Sequence, residues 1–119
     1  MTTEIKTKRI YEPADEADGC RVLVDRLWPR GVAKQAAAVD VWAKDVTPTS
    51  ELRRAYHGGV IDGPQFAERY RTELATNPAW PDFVERMRCE PVVTMLTAVK
   101  EVAQSHVPVL VAELTAALE

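Results

Sequence analysis

Thiols and imidazoles are scarce in this chain. Its two cysteines, Cys20 and Cys89, form no Cys-x-x-Cys pair, and its two histidines, His57 and His106, lie far apart in sequence. That spread matches no metal-ligand spacing and no disulfide scaffold, so neither a metal nor a cofactor is expected. The thiols should be reduced, as in a cytosolic protein. No apolar run approaches the roughly 20 residues that span a bilayer, so no membrane partner is expected. The opening residues, Met1-Thr2-Thr3-Glu4-Ile5-Lys6, lack the apolar centre of a secretion signal, which points to the cytoplasm. Positive charge is not in excess: 15 Lys and Arg stand against 18 Asp and Glu, a formal charge of −3. A general nucleic-acid binder needs the opposite balance to displace counterions. Also absent are the phosphate-cradling GxxxxGK[ST] loop, the dinucleotide GxGxxG turn, the GxSxG nucleophile elbow, internal repeats and low-complexity segments.

What is present is ordinary globular material. With 119 residues, 46 % hydrophobic and 28 % charged, residues 1–119 suffice for one domain around one core. Residues 4–11 alternate and carry β-branched side chains, a strand near a sheet edge where lysines oppose further pairing. Residues 12–19 are a polar loop. Residues 20–25 form a second strand whose centre, Val22-Leu23-Val24, is apolar on both faces, which suits a strand covered on both sides. Pro29 and Gly31 break the chain, and residues 32–38 hold one or two helical turns. Residues 39–44 alternate as a third strand. Helices are expected over 50–56, capped by Thr49, and from the capping box at Asp62-Gly63-Pro64-Gln65 to Asn77-Pro78. Another runs from about Trp80 to Arg88. Residues 91–97 read as the last strand, and 103–118 as a closing helix with Val107, Leu110, Val111, Leu114 and Leu118 inward. The order predicts a layered α/β domain with a largely parallel sheet flanked by helices on both faces. Strands 22–25, 39–43 and 92–96 should lie side by side.

In such sheets ligands sit outside the carboxyl ends of the strands. The second strand is followed by Asp25, Arg26, Trp28 and Arg30. Lys44, Asp45 and Thr47 follow the third, and Thr97, Lys100, Ser105 and His106 the last. Parallel strands would bring all three groups to one edge. Arg26 and Arg30 can fork onto a phosphate or carboxylate, with Lys44, Lys100, Thr47 and Trp28 assisting. Helix N-termini after Thr49 and Ser105 would add N–H groups. Asp25 or Asp45 can serve as general base or orient the cations, and His106 can transfer a proton. Plainer roles compete. Asp25–Arg26 also fits a structural pair, in which case Arg26→Ala would cost about 1–3 kcal/mol by stranding Asp25. Trp28 and Trp42 also fit packing, and His106 a helix-start position. His57 is explained by the end of its helix, and the Tyr70 hydroxyl needs a partner. His106 is expected to be neutral at pH 7, through the helix dipole and Lys100.

The strings Val24-Asp25-Arg26-Leu27-Trp28-Pro29-Arg30-Gly31, Trp42-Ala43-Lys44-Asp45-Val46-Thr47-Pro48-Thr49-Ser50-Glu51-Leu52-Arg53, Phe66…Tyr70…Glu73-Leu74 and Val93-Thr94-Met95-Leu96 resemble the YeaO-like family of bacterial domains of unknown function. The resemblance covers nearly the whole chain. It implies a small, soluble, cytoplasmic α/β domain and brings no activity with it. The family's final-helix string usually holds two histidines. Here Gln104 stands for one and only His106 remains, which puts metal or two-proton chemistry in doubt more than anion binding. Two functions are therefore carried forward. One is binding of a small phosphorylated or carboxylated ligand at the strand ends. The other is a non-catalytic protein-interaction module using the Arg/Trp turn at 25–31. A concave pocket with converging Arg26, Lys44 and His106 would favour the first, and a flat, exposed Trp28 the second. No feature sets an oligomeric state.

Overall fold

The structure is a computed structural model and describes residues 3–119. Its strands are β1 (Glu4–Arg9), β2 (Cys20–Leu23), β3 (Val41–Trp42) and β4 (Val92–Thr97). Its helices are α1 (Lys34–Ala37), α2 (Ser50–His57), α3 (Gly63–Thr76), α4 (Ala79–Arg88) and α5 (Val107–Leu118). Short 3-10 turns occupy Glu16–Asp18, Lys44–Val46 and Val102–Gln104. The strands form one sheet in the order β1-β4-β2-β3, and every neighbouring pair is parallel. All carboxyl ends therefore share one edge, as the doubly apolar runs predicted, and β1 lies at the border.

Side-chain alternation divides the core in two. Val22, Val24, Val93 and Met95 join Phe66, Tyr70, Leu74, Met87, Leu110 and Leu114 beneath α2–α5. Burying a large aliphatic or aromatic side chain contributes about 1.5–3 kcal/mol, so this face holds most of the hydrophobic stabilisation. The opposite face is thin. Leu23 and Leu96 meet Ile10 and Ala37 there, with Trp28 and Trp42 at the border. The expected helical cover on this side is one short helix, α1. The rest of the cover is polar: Asp18 receives Arg21 and Lys8, and its main-chain oxygen accepts the Thr94 hydroxyl at 2.7 Å. Gly19 links the 3-10 turn to β2 at φ +63, where an added Cβ would lie 2.4 Å from the Val92 oxygen.

Several boundaries shift. β2 ends at Leu23, although the Val24 amide still donates to the Leu96 oxygen at 3.0 Å. β3 shortens to two residues because the chain tightens into the 3-10 turn at Lys44. α5 begins at Val107 rather than Ala103, because Ser105 Oγ takes the Val107 amide at 3.2 Å and Pro108 fits the first turn. The cap at Thr49 and the box at Asp62 and Gln65 form as read. No helix among the described residues is long and apolar enough to cross a membrane.

Candidate functional site

The turn after β2 is held by four internal hydrogen bonds that decide what it offers outward. Asp25 Oδ1 accepts the Thr97 hydroxyl at 2.7 Å, and Oδ2 accepts the Ala98 amide at 2.8 Å. Trp42 Nε1 donates to the Asp25 oxygen at 2.8 Å, and Trp28 Nε1 donates to the Val32 oxygen at 2.8 Å. The two indoles meet edge to face at 5.5 Å. Pro29 is buried, and Gly31 leaves the turn at φ +75, a backbone state that costs glycine little. Arg26, Leu27 and Arg30 are left at the surface.

The expected Asp25–Arg26 pair does not exist. Asp25 is a tie between the ends of β2 and β4, and Arg26 is exposed, with one hydrogen bond to the Pro48 oxygen at 3.3 Å. Arg26→Ala is accordingly expected to change the unfolding free energy by no more than about 0.5 kcal/mol. A loss of 1–3 kcal/mol in urea unfolding, the sequence-based figure, would restore a structural role.

Beyond β4, Arg9 at the end of β1 donates to the Val99 and Ala98 oxygens, each at 3.2 Å, and fixes the loop before the last helix. Lys100 on that loop is exposed. His106 Nε2 lies 2.6 Å from the Val24 oxygen. A carbonyl only accepts, so Nε2 carries the hydrogen and Nδ1 is left bare. Burial lowers the imidazole pKa below its usual value and Arg53 adds to that, against the Val24 bond and Asp25, which raise it. The neutral state thus comes from burial, not from Lys100. Between the lowered folded value and about 6.5 the unfolded chain binds a proton that the folded chain does not. Stability should therefore be full above that range and fall as the pH drops through it. Ring-proton NMR should give a midpoint below 6.5, and one above it would mean that Asp25 outweighs burial.

Of the group after the third strand, Lys44 and Asp45 turn away. Thr47 Oγ1 donates to the Lys44 oxygen at 2.6 Å, and the Asp45 oxygen accepts Asn77 Nδ2 at 2.7 Å. Lys44 lies 4.9 Å over the Trp42 ring. Lys44 and Asp45 line a neighbouring cleft of about 630 Å³, separated from the main one by Arg26, Leu27 and Thr47. The cause is the 3-10 turn that cuts β3 short. Asp45 pairs with no cation among the described residues, so it orients none. The two helix starts are also occupied, Leu52 N by Thr49 Oγ1 and Val107 N by Ser105 Oγ, each at 3.2 Å.

The main cleft, about 810 Å³, brings together Asp25, Arg26, Trp28, Arg30, Thr47, Lys100 and His106. It also includes Arg53, Tyr56, His57 and Phe66, which the sequence reading did not place there. Arg53, Tyr56 and His57 fall at i, i+3 and i+4, one face of α2, a spacing visible in the sequence. Tyr56 is fixed by stacking on Phe66 at 4.4 Å and by donating its hydroxyl to the Gln104 oxygen at 2.8 Å. Among the described residues, no carboxylate pairs with Arg26, Arg30, Arg53 or Lys100. Nor do three or more His, Cys, Asp or Glu side chains gather where a metal could be held. The arrangement can receive an anion. Of its groups suited to proton transfer, Asp25 and His106 are engaged in ties within the fold, while His57 and Glu101 are exposed.

Residues 4–119 match the family described as the inactive DUF488-N3 subclade. The chain is 43% identical to the uncharacterized protein YeaO of Escherichia coli K12 over 106 residues, 89% of this chain and 92% of that one. It is also 43% identical over 108 residues to Mycobacterium tuberculosis Rv3073c and to Mycobacterium bovis Mb3100c, covering 91% of each chain. No solved structure matches.

Proposed function

Because this chain belongs to the DUF488-N3 family, in its inactive subclade, we propose that it binds a small phosphorylated or carboxylated ligand at the carboxyl ends of β2 and β4 without turning it over. The observation that carries this reading is the set of four cations, Arg26, Arg30, Arg53 and Lys100, that line one concave cleft without a carboxylate partner. Like charges around a low-dielectric cleft focus a field that draws anions, and guanidinium forks match phosphate and carboxylate geometry. The engagement of Asp25 and His106 supports binding without turnover.

Thermal unfolding with inorganic phosphate and with citrate tests the reading. A ligand that binds only the folded state at a hundred times its Kd adds about 2.7 kcal/mol of stability. The melting temperature should rise with anion concentration, and the rise should shrink in Arg30→Ala and Arg53→Ala. A wild-type chain that responds to neither anion, or variants that respond as it does, would overturn the proposal.

One observation favours the interaction reading. Leu27, 73 % exposed, stands at the tip of the turn between Arg26 and Arg30, where an apolar residue among arginines resembles an interface anchor. Trp28 does not serve it, because it is half-buried in the cleft wall rather than flat and exposed.

A further inference from the structure

We infer that the ligand of the main cleft carries a planar aromatic ring joined to its anionic group, a nucleoside monophosphate being the simplest molecule of that class. The inference rests on the anion-binding reading and specifies it. Size is the first ground. A cleft of about 810 Å³ lies within the range of roughly 300–1,000 Å³ that holds drug-sized ligands. An isolated phosphate would contact only a small part of its wall.

The second ground is the chemistry of that wall. Between the cations stand the rings of Trp28, Tyr56 and Phe66, with Pro29, Pro48 and Val99. The polar handles of the first two rings are already engaged: Trp28 Nε1 with the Val32 oxygen and the Tyr56 hydroxyl with the Gln104 oxygen, each at 2.8 Å. Neither can donate to a ligand without breaking a bond of the fold. What they offer is ring surface, which favours offset stacking with another ring. Guanidinium planes stack on such rings too, so Arg26, Arg30 and Arg53 serve both halves of the ligand.

Rigidity is the third ground. Tyr56 stacks on Phe66 at an interplanar angle of 17° and is tied at its hydroxyl to the turn before α5. A wall held at both ends loses little conformational freedom when a ring settles on it. At the rim, the Gln104 side-chain amide makes no hydrogen bond among the described residues, since only its main chain is engaged. That amide and the exposed Glu101 carboxylate supply the donors and acceptors that the edge of a heteroaromatic ring requires.

Isothermal titration of the full chain tests the inference with AMP, GMP, CMP and UMP, their four nucleosides, and inorganic phosphate. At least one monophosphate should bind about tenfold tighter than inorganic phosphate, the gain expected of one stacked base, and about tenfold tighter than its own nucleoside, the gain expected of the anion's contacts. Tyr56→Leu, which keeps apolar bulk but removes the ring, should weaken that monophosphate about fivefold or more and leave phosphate affinity within about twofold. Tyr56→Phe, which keeps the ring and loses only the Gln104 bond, should retain most of the monophosphate affinity. In the unmodified chain the monophosphate, and not phosphate, should quench tryptophan fluorescence, a readout that needs no variant. Phosphate binding as tightly as every monophosphate, with no quenching, would overturn this inference and leave the anion site standing. A nucleoside binding as tightly as its monophosphate, or no binding by any of these molecules, would overturn both.

Discussion

Replacing Arg21 by methionine should lower the unfolding free energy by about 3 kcal/mol, near the low end of the 3–5 kcal/mol typical of breaking a buried pair. Arg21 and Asp18 are 4 % and 5 % exposed. The guanidinium also donates to the Ala37 oxygen at 2.9 Å and to the Ala38 oxygen at 3.1 Å. Those oxygens close the end of α1, where Ala38 sits at φ +49. Methionine would leave them and the Asp18 carboxylate short of donors, although Lys8 still reaches both Asp18 oxygens at 3.1 Å, which moderates the cost. Burial raises the Asp18 carboxyl pKa, but the hydrogen bonds from the Asp15 amide, Lys8 and Arg21 outweigh it and hold the value below normal. The stability this group contributes is present above about pH 4 and is lost as the pH falls through the lowered folded value. Urea unfolding at pH 7 measures the effect. The double variant Asp18→Leu/Arg21→Met should recover much of the loss, since no buried charge is then stranded. A single-variant change below about 1 kcal/mol would mean that solvent reaches the pair.

Asp25→Ala should cost about 2–4 kcal/mol, because two hydrogen bonds to a carboxylate are lost and the Thr97 hydroxyl and Ala98 amide are stranded. The loss should exceed that of Arg26→Ala severalfold, the reverse of what a catalytic Asp25 and a structural Arg26 would give. The tie also positions the loop that carries Lys100 and His106, so anion affinity should fall with it. Urea unfolding and phosphate titration of the one variant read both effects. Unchanged stability with lost ligand response would return Asp25 to the ligand.

The sheet was legible because its signal is compositional and local. Val22-Leu23-Val24 is apolar at successive positions and 92–96 is so except at Thr94, the pattern of parallel strands covered on both faces. The order of residues 62–65 likewise carries the cap of α3 within four positions. β3 was read too long because the alternation from Val39 to Lys44 shows which face each side chain takes, not where the chain turns. Its two-residue length follows from the 3-10 turn, whose Thr47–Lys44 bond is not visible as periodicity. In the site, Arg26, Trp28, Arg30 and Lys100 were placed by their nearness to strand ends. The roles of Asp25 and His106 depend on partners 72 and 82 positions away, which a linear reading does not pair. Arg53, Tyr56 and His57 share a helical face that was readable, but only tertiary packing turns that face toward the end of β2.

Nitrogen-15 NMR of the chain titrated with inorganic phosphate, following the backbone amides and the arginine side-chain Nε–H groups, tests the anion cleft most directly. The account predicts saturable shifts at Arg26, Arg30 and Arg53 and along residues 25–31 and 98–106, with the Asp18–Arg21 face unmoved. An absence of saturable shifts, or shifts centred on Lys44 and the neighbouring cleft with Arg30 and Arg53 unmoved, would contradict it.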